Sequence, residues 1–170
     1  MDIDRKLDDR KGIFNKLLNM IPGYTGYSRR EARREADKKL RDDIANELNL
    51  ARQKIDALIG DLSAAGQIMM LSDVGRLLKR IERVADLIRY APHGESAFMA
   101  LDTIGEEQLE TLYFYDYELK EKAAAIAGDV AALQAADPSA LKTAIKDIME
   151  KLDNLDQLIN GRKKHITEEF

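Results

Sequence analysis

The sequence predicts an all-α protein: an antiparallel helical bundle of four main helices, in the form of long helical hairpins, preceded by a short amphipathic helix. Three observations predict this class. Apolar residues recur at steps of three and four through several long segments, which is the spacing of one buried helix face. Charged residues make up 34% of the chain and aromatic residues 6%, a balance typical of solvated helices around an aliphatic core. The 170 residues suffice for one domain with a substantial core.

The first element is an amphipathic helix over residues 1–21, distinct from the bundle predicted at 28–170. Phe14, Leu17 and Leu18 lie among its apolar positions, and lysine and arginine lie among its polar ones, as in helices that lie in a membrane interface. The alternative is a helix docked on the bundle, because four acidic residues among the first nine would be repelled by anionic lipid.

A turn and the longest helix come next. The turn at residues 22–27 contains one proline and two glycines, which fix or permit the φ angles that a reversal requires. Ser28 and Glu31 have the spacing of a capping box, so we expect the second helix to begin here. Its apolar stripe continues to Leu62, and residues 63–66 then kink or end it.

The third helix carries a basic stripe, with Arg76, Arg80 and Arg83, opposite its apolar face. It is interpreted as a solvated face or as a surface for an anionic partner. Residues 1–90 contain 19 basic and 15 acidic residues, whereas residues 91–170 contain 8 and 16. Packing of two complementary halves, or an anionic partner of the basic half, explains this imbalance. The acidic total charge and the absence of interleaved aromatic residues argue against nucleic acid as a partner.

The second half begins with a loop at 91–105 that has no clear periodicity, a length often associated with function. Thr103 and Glu106 have capping-box spacing and predict the start of the fourth helix. The last helix is predicted to follow the capping residue Asp137 and to end before Gly161.

Asp116 interrupts the apolar stripe of the fourth helix. An ionised carboxylate in an apolar core is costly unless it is paired and hydrogen-bonded, so Asp116 requires a partner, with Arg33 and Arg89 as the candidates. Both a structural ion pair and a functional carboxylate of perturbed pKa fit this position.

One acidic pattern bears on catalysis. It consists of Glu106, Glu107 and Glu110 in one segment and Glu150 and Asp153 in another. This pairing resembles the magnesium-binding carboxylates of the MazG-type all-α nucleotide pyrophosphohydrolases, which implies a magnesium-dependent hydrolase of a nucleotide or phosphate ester as the alternative function. Chance also accounts for such a pattern, since the chain holds 31 acidic residues.

Other chemistries lack their signatures. The chain has no cysteine and only two histidines, and it contains no phosphate-binding loop, dinucleotide fingerprint or nucleophile elbow, so no cofactor is predicted. No apolar run is long enough to span a bilayer, and acidic residues at the start of the chain argue against a signal peptide. We therefore expect a cytoplasmic protein, with peripheral membrane attachment through the first helix as a further option.

Three stretches carry a family resemblance: Ile21 to Tyr27 with the helix that follows to Leu40, Arg80 to Ala91, and Leu112 to Asp116. They resemble a poorly characterised prokaryotic all-α family, which implies the fold and no activity. Residues 12–14 are also similar to the membrane-binding start of phage-shock PspA-like proteins. Together these features favour a non-enzymatic scaffold or adaptor that binds protein partners, with an anionic membrane surface and self-association through coiled-coil-like stripes as further interactions.

Overall fold

The computed structural model describes residues 12–91 and 97–170, and every regular element in these ranges is helical. The prediction of an all-α fold is confirmed. One short helix, α1, spans residues 12–20, and single 3-10 turns precede α2 and follow α5. The remaining helices are α2 (Arg33–Ala64), α3 (Ile68–Arg89), α4 (Ala97–Ala100), α5 (Glu106–Ala132) and α6 (Pro138–Glu169).

The four long helices share one core. Helix α2 packs against α3 and α5, and α6 packs against the same two helices. Each contributes its apolar stripe, and the side chains at the centre are fully buried because the periodicity places them on one face. Among them are Ile44, Ile81, Ile126 and Leu152.

Complementary charges join the basic and acidic halves of the chain. Arg80 of α3 donates to Asp153 of α6 at 2.6 Å, and Lys120 of α5 lies 2.6 Å from both Asp43 and Glu47 of α2. The Arg80 pair therefore joins a base of residues 1–90 to an acid of residues 91–170, in line with the charge asymmetry of the two halves, whereas Lys120 pairs in the opposite sense with acids of residues 1–90.

Helix α2 ends at a turn of residues 65–67. The N–H of Gly66 donates to the carbonyl of Ser63, and the N–H of Gln67 donates to the carbonyl of Leu62. Gly66 has a φ of +71°, a conformation that favours glycine. The segment 63–66 therefore ends the helix and does not kink it.

Helix α1 and the turn after it lie against the bundle. Leu17 is fully buried and Ile21 nearly so, and the Phe14 ring lies 4.8 Å from the Tyr113 ring of α5. Gly26 has a φ of +74°, and a Cβ there would lie 2.6 Å from atoms of Phe14 and Tyr113. The described part of the predicted 1–21 helix is thus docked through its apolar face, while residues 1–11 lie outside the described residues.

The last helix does not end before Gly161, contrary to the prediction. Helix α6 continues to Glu169; beyond the glycine, Arg162 is buried, and the partly buried Ile166 and Phe170 pack against the core. Gly161 instead permits close packing, since a Cβ there would lie 3.2 Å from Cε1 of Tyr115. Its role is helix contact and not termination.

Two predicted capping boxes are also absent. No side-chain capping hydrogen bond starts α2, which follows the 3-10 turn Arg30–Ala32 in place of a Ser28 cap. At α5 the N-cap is Gly105, whose N–H donates to Gln108 Oε1 at 3.1 Å, so Thr103 is not the cap. The predicted cap of α6 is confirmed, because Asp137 accepts from the Ala140 N–H.

Candidate functional site: a buried polar cluster beside a cavity

Asp116 lies at the centre of a buried polar cluster. Its Oδ1 atom accepts from Arg162 Nε at 2.6 Å. Its Oδ2 atom accepts from the Tyr27 hydroxyl at 2.6 Å and from the Tyr24 hydroxyl at 3.0 Å. Asp116 has no exposed surface. Three donors from α6 and the 22–27 turn therefore satisfy a carboxylate that α5 places in the core.

Arg162 extends the cluster to α2. Its Nη2 atom donates to Asp37 Oδ1 at 2.8 Å and to the Tyr27 oxygen at 3.0 Å. The second oxygen of Asp37 accepts from Arg41 Nε at 2.9 Å. Arg41 in turn donates through Nη1 to the carbonyls of residues 89 and 91, at the end of α3. We call this set the Asp116 cluster: Asp116, Arg162, Tyr24, Tyr27, Asp37 and Arg41.

Burial and charge act in opposite directions on the acidic members. Burial raises the pKa of Asp116 above its ordinary value, although Arg162 and the Tyr27 hydroxyl lower it in part. Burial also raises the pKa of Asp37, but Arg162 and Arg41 outweigh it, so that this pKa lies below its ordinary value. Asp37 is therefore the firmly ionised carboxylate of the cluster.

Arg162 and the two tyrosines stay protonated. Burial lowers the pKa of Arg162, yet Asp116 and the other anionic neighbours raise it well above the ordinary value. Burial, with the Asp116 charge as a further cause, raises the pKa of Tyr27 and of Tyr24 well above that of an exposed tyrosine. The cluster therefore offers no deprotonated phenol or neutral guanidine as a general base.

Neither Arg33 nor Arg89 pairs with Asp116, contrary to the prediction. Arg33 is fully buried, and its guanidinium donates to the carbonyls of Tyr27, Phe98 and Leu101, which ties α4 to the turn. Arg89 is only half-buried and donates to the Asn46 side chain. Arg162 is the partner instead, because α6 continues past Gly161 and brings its guanidinium between Asp116 and Asp37.

A cavity of about 280 Å³ adjoins the cluster. Its walls come from α2, α3, α4 and α6, and Asp37, Arg41 and Arg162 face it, whereas Asp116 does not line it. A space that combines apolar walls with a few charged groups is typical of a small-molecule site. The described lining of this cavity offers apolar surface and charged groups for contact with a ligand.

The five predicted magnesium ligands are not brought together. In the ranges 12–91 and 97–170, no group of three or more acidic or histidine side chains is placed to hold a metal ion. Glu106, Glu107 and Glu150 are exposed, Glu110 is half-buried, and Asp153 accepts from Arg80. The geometry of these residues gives the hydrolase alternative no support.

The predicted interaction residues have mixed positions. Leu17 is in the core and Phe14 packs on Tyr113, while Leu18 is 39% exposed. The basic stripe is largely paired. Arg76 lies 2.8 Å from Asp73, and both Arg80 and Arg83 contact Asp156, at 3.0 Å and 3.9 Å.

A different exposed surface was missed at the sequence level. Ile68 is 72% exposed and Met69 is 90% exposed, both at the start of α3. A signal was present in the sequence: the eleven residues 62–72 carry no charge, although 34% of the chain is charged. We call residues 63–69, which include the turn between α2 and α3, the α2–α3 tip.

Comparison with protein families, curated proteins and solved structures gives no match to this chain. Within the described ranges, no helix combines the length and the apolar character needed to cross a membrane. Functional inference therefore rests on the residues and their geometry.

Proposed function

We propose that this protein is a non-enzymatic helical-bundle adaptor that binds a protein partner through the α2–α3 tip, with its four long helices in an antiparallel arrangement. The exposure of Ile68 and Met69 carries the proposal. The antiparallel arrangement is supported by the three-residue turn that joins α2 to α3, since short connections favour antiparallel neighbours.

The α2–α3 tip has the composition of a partner-binding surface. Exposed apolar residues scattered singly are normal, but two large adjacent ones in an uncharged segment are unusual. Methionine is flexible and polarisable, and it is frequent on surfaces that adapt to a partner. The partner that fits this tip presents an apolar face, because residues 62–72 offer no charge to pair.

A protein fits the tip better than a lipid bilayer does. Membrane-interface segments are enriched in tryptophan, tyrosine, lysine and arginine, and residues 61–73 contain none of these. The segment is flanked by Asp61 and Asp73, which anionic lipid would repel. At α1, Leu17 is buried and the half-buried Phe14 packs on Tyr113, so these apolar groups are not free to enter a membrane.

Site-specific photocrosslinking in the native cell tests the proposal. A photoreactive amino acid at Met69 should give one discrete adduct with another protein, identified by mass spectrometry. The matched control is Leu50, which is 60% exposed on α2 and away from the tip. No adduct at position 69, or the same adducts from both positions, would overturn the proposal.

The identified protein is then purified and its affinity measured. Met69→Glu should weaken binding at least tenfold, about 1.4 kcal/mol, whereas Leu50→Glu should change it less than twofold. Flotation of the full chain with vesicles that Met69→Glu abolishes would assign the tip to lipid. Dimerisation in light scattering that Met69→Glu abolishes would assign it to a second copy. Either result would overturn a heterologous protein partner.

A further inference from the structure

We propose that the cavity beside the Asp116 cluster binds a small amphipathic carboxylate, with its aliphatic chain against the apolar walls and its carboxylate at Lys163. This site is separate from the α2–α3 tip, so it goes beyond the adaptor function. Three observations carry it: the volume, the wall chemistry and the excess of positive charge.

The volume limits the ligand to a small molecule. The cavity measures about 280 Å³. Small-molecule sites are commonly clefts of about 300–1,000 Å³, so this cavity lies at the lower end of that range. A space of this size suits a single alkyl chain of medium length better than a lipid with two long chains.

The walls favour an apolar body. Leu87 and Ile88 come from α3, Phe98 and Met99 from α4, and Ile159 and Ile166 from α6. Burying methylene groups against such walls is favourable, so the alkyl chain supplies most of the affinity. The flexible Met99, which is only half-buried, lets the wall fit an aliphatic chain.

The charges favour an anion over a cation. Arg41, Arg162 and Lys163 line the cavity, and Asp37 is the only acidic residue among its described lining residues. Asp37 already accepts hydrogen bonds from both arginines. Asp37 and Asp116 together balance the charges of Arg41 and Arg162, so the positive charge of Lys163 remains, and it attracts a carboxylate and repels an ammonium group.

Lys163 is the group that meets the carboxylate. It is exposed, and no acidic side chain pairs with it in the described part of the chain. The other polar groups at the rim donate internally, Asn160 to Asp156 and Thr167 to the carbonyl of Lys164. A carboxylate at the rim keeps its water on one side, which avoids the cost of burying a second anion beside Asp37.

Calorimetric titration of the full chain tests this site with three probes of equal chain length: decanoate and decylammonium below their micellar concentrations, and decanol below its solubility limit. Decanoate should bind with a Kd below about 1 mM, decanol more weakly, and decylammonium most weakly of the three. Lys163→Gln should weaken decanoate binding about five- to tenfold and leave decanol binding unchanged. The matched control Lys164→Gln removes a neighbouring lysine that does not line the cavity, and it should change either affinity less than twofold.

A second variant tests the location of the chain. Leu87→Trp places a larger side chain in the cavity and should abolish binding of both decanoate and decanol, with folding checked by circular dichroism. The proposal is overturned if decanoate does not bind, if decylammonium binds equally well, or if Lys163→Gln leaves decanoate binding unchanged. The three probes on the unaltered protein decide the sign of the charge even if Leu87→Trp does not fold.

Discussion

The Nε atom of Arg162 lies 2.6 Å from Oδ1 of Asp116 and joins α6 to α5 across 46 positions of the sequence. The same guanidinium contacts Asp37 of α2 and the hydroxyl of Tyr27. One side chain therefore fixes the relative positions of three helices and a turn. Such a pair is not evidence of extra stability over an apolar core, but loss of one partner leaves a buried charge uncompensated.

Loss of the Arg162 charge should destabilise the fold strongly. Arg162→Met leaves Asp116 and Asp37 without their shared cation, so we expect the free energy of unfolding to fall by about 3–5 kcal/mol. Urea denaturation measures the change. Arg83→Met is the matched control, because Arg83 is exposed and its distance to Asp156, 3.9 Å, is long for an ion pair. This substitution should lower the free energy of unfolding by less than about 1 kcal/mol. Equal effects of the two variants would contradict the assigned role of Arg162.

The hydroxyl of Tyr27 should contribute measurably on its own. It donates to Asp116 and accepts from Arg162, so Tyr27→Phe removes hydrogen bonds to charged groups while keeping the ring. A loss of about 1.5–3 kcal/mol in unfolding free energy is expected. Tyr90→Phe, at a position that is 73% exposed, should change stability by less than about 0.5 kcal/mol. If Tyr27→Phe leaves the free energy of unfolding unchanged, water replaces the hydroxyl in the cluster.

The sequence pattern indicates a buried position at Arg162, although the last helix was predicted to end before Gly161. The last stripe advances by four and three residues from Leu141 to Ile159, and the next step of three reaches Arg162, which is buried. Gly161 led to the wrong helix end because a glycine beyond an apolar stripe commonly ends a helix. Asp116 could be predicted from the same kind of periodicity, as a polar residue within an apolar series.

Other parts of the site have no local signal. The guanidinium of Arg33 binds the carbonyls of Phe98 and Leu101, contacts that join residues more than 60 positions apart. The cavity exists because four helices meet around it, and helical periodicity specifies which face is buried without specifying which partner covers it. Helices and core positions could therefore be predicted, whereas partners and cavities could not.

The ionisation of Asp37 should make the stability of the protein depend on pH. Its pKa is lowered, so it contributes stability that is fully present above its ordinary value of 3.8 and is lost as the pH falls through the lower folded-state value. Asp37→Asn should lower the free energy of unfolding by about 3 kcal/mol at pH 7. The difference in unfolding free energy between the variant and the unaltered protein should decrease steadily below about pH 4. Guanidinium denaturation at a series of pH values measures this difference.

The control for this dependence is Asp56→Asn, since the Asp56 side chain is 49% exposed and pairs with Arg52 at the surface. Its difference from the unaltered protein should be small at every pH. If the effect of Asp37→Asn stays constant to about pH 2, the pKa of Asp37 is not lowered by its arginine partners.

Substitution of three glycines should separate conformational strain from steric contact at the docking site of α1. Gly26→Ala suffers both a positive φ and a Cβ only 2.6 Å from Phe14 and Tyr113 atoms, and should cost about 2–5 kcal/mol. Gly66→Ala has a positive φ in open space and should cost about 1–2 kcal/mol. Gly60→Ala, within α2 and without neighbours, should stabilise by about 0.5–1 kcal/mol.

Chemical denaturation of the three variants gives these values, and the difference between Gly26→Ala and Gly66→Ala measures the steric contact of residue 26 with Phe14 of α1 and Tyr113 of α5. If the two variants cost the same, both rings, and α1 with Phe14, move aside without a free-energy cost. In that event the apolar face of α1 would be available to a membrane, and the argument against lipid binding at α1 would fail.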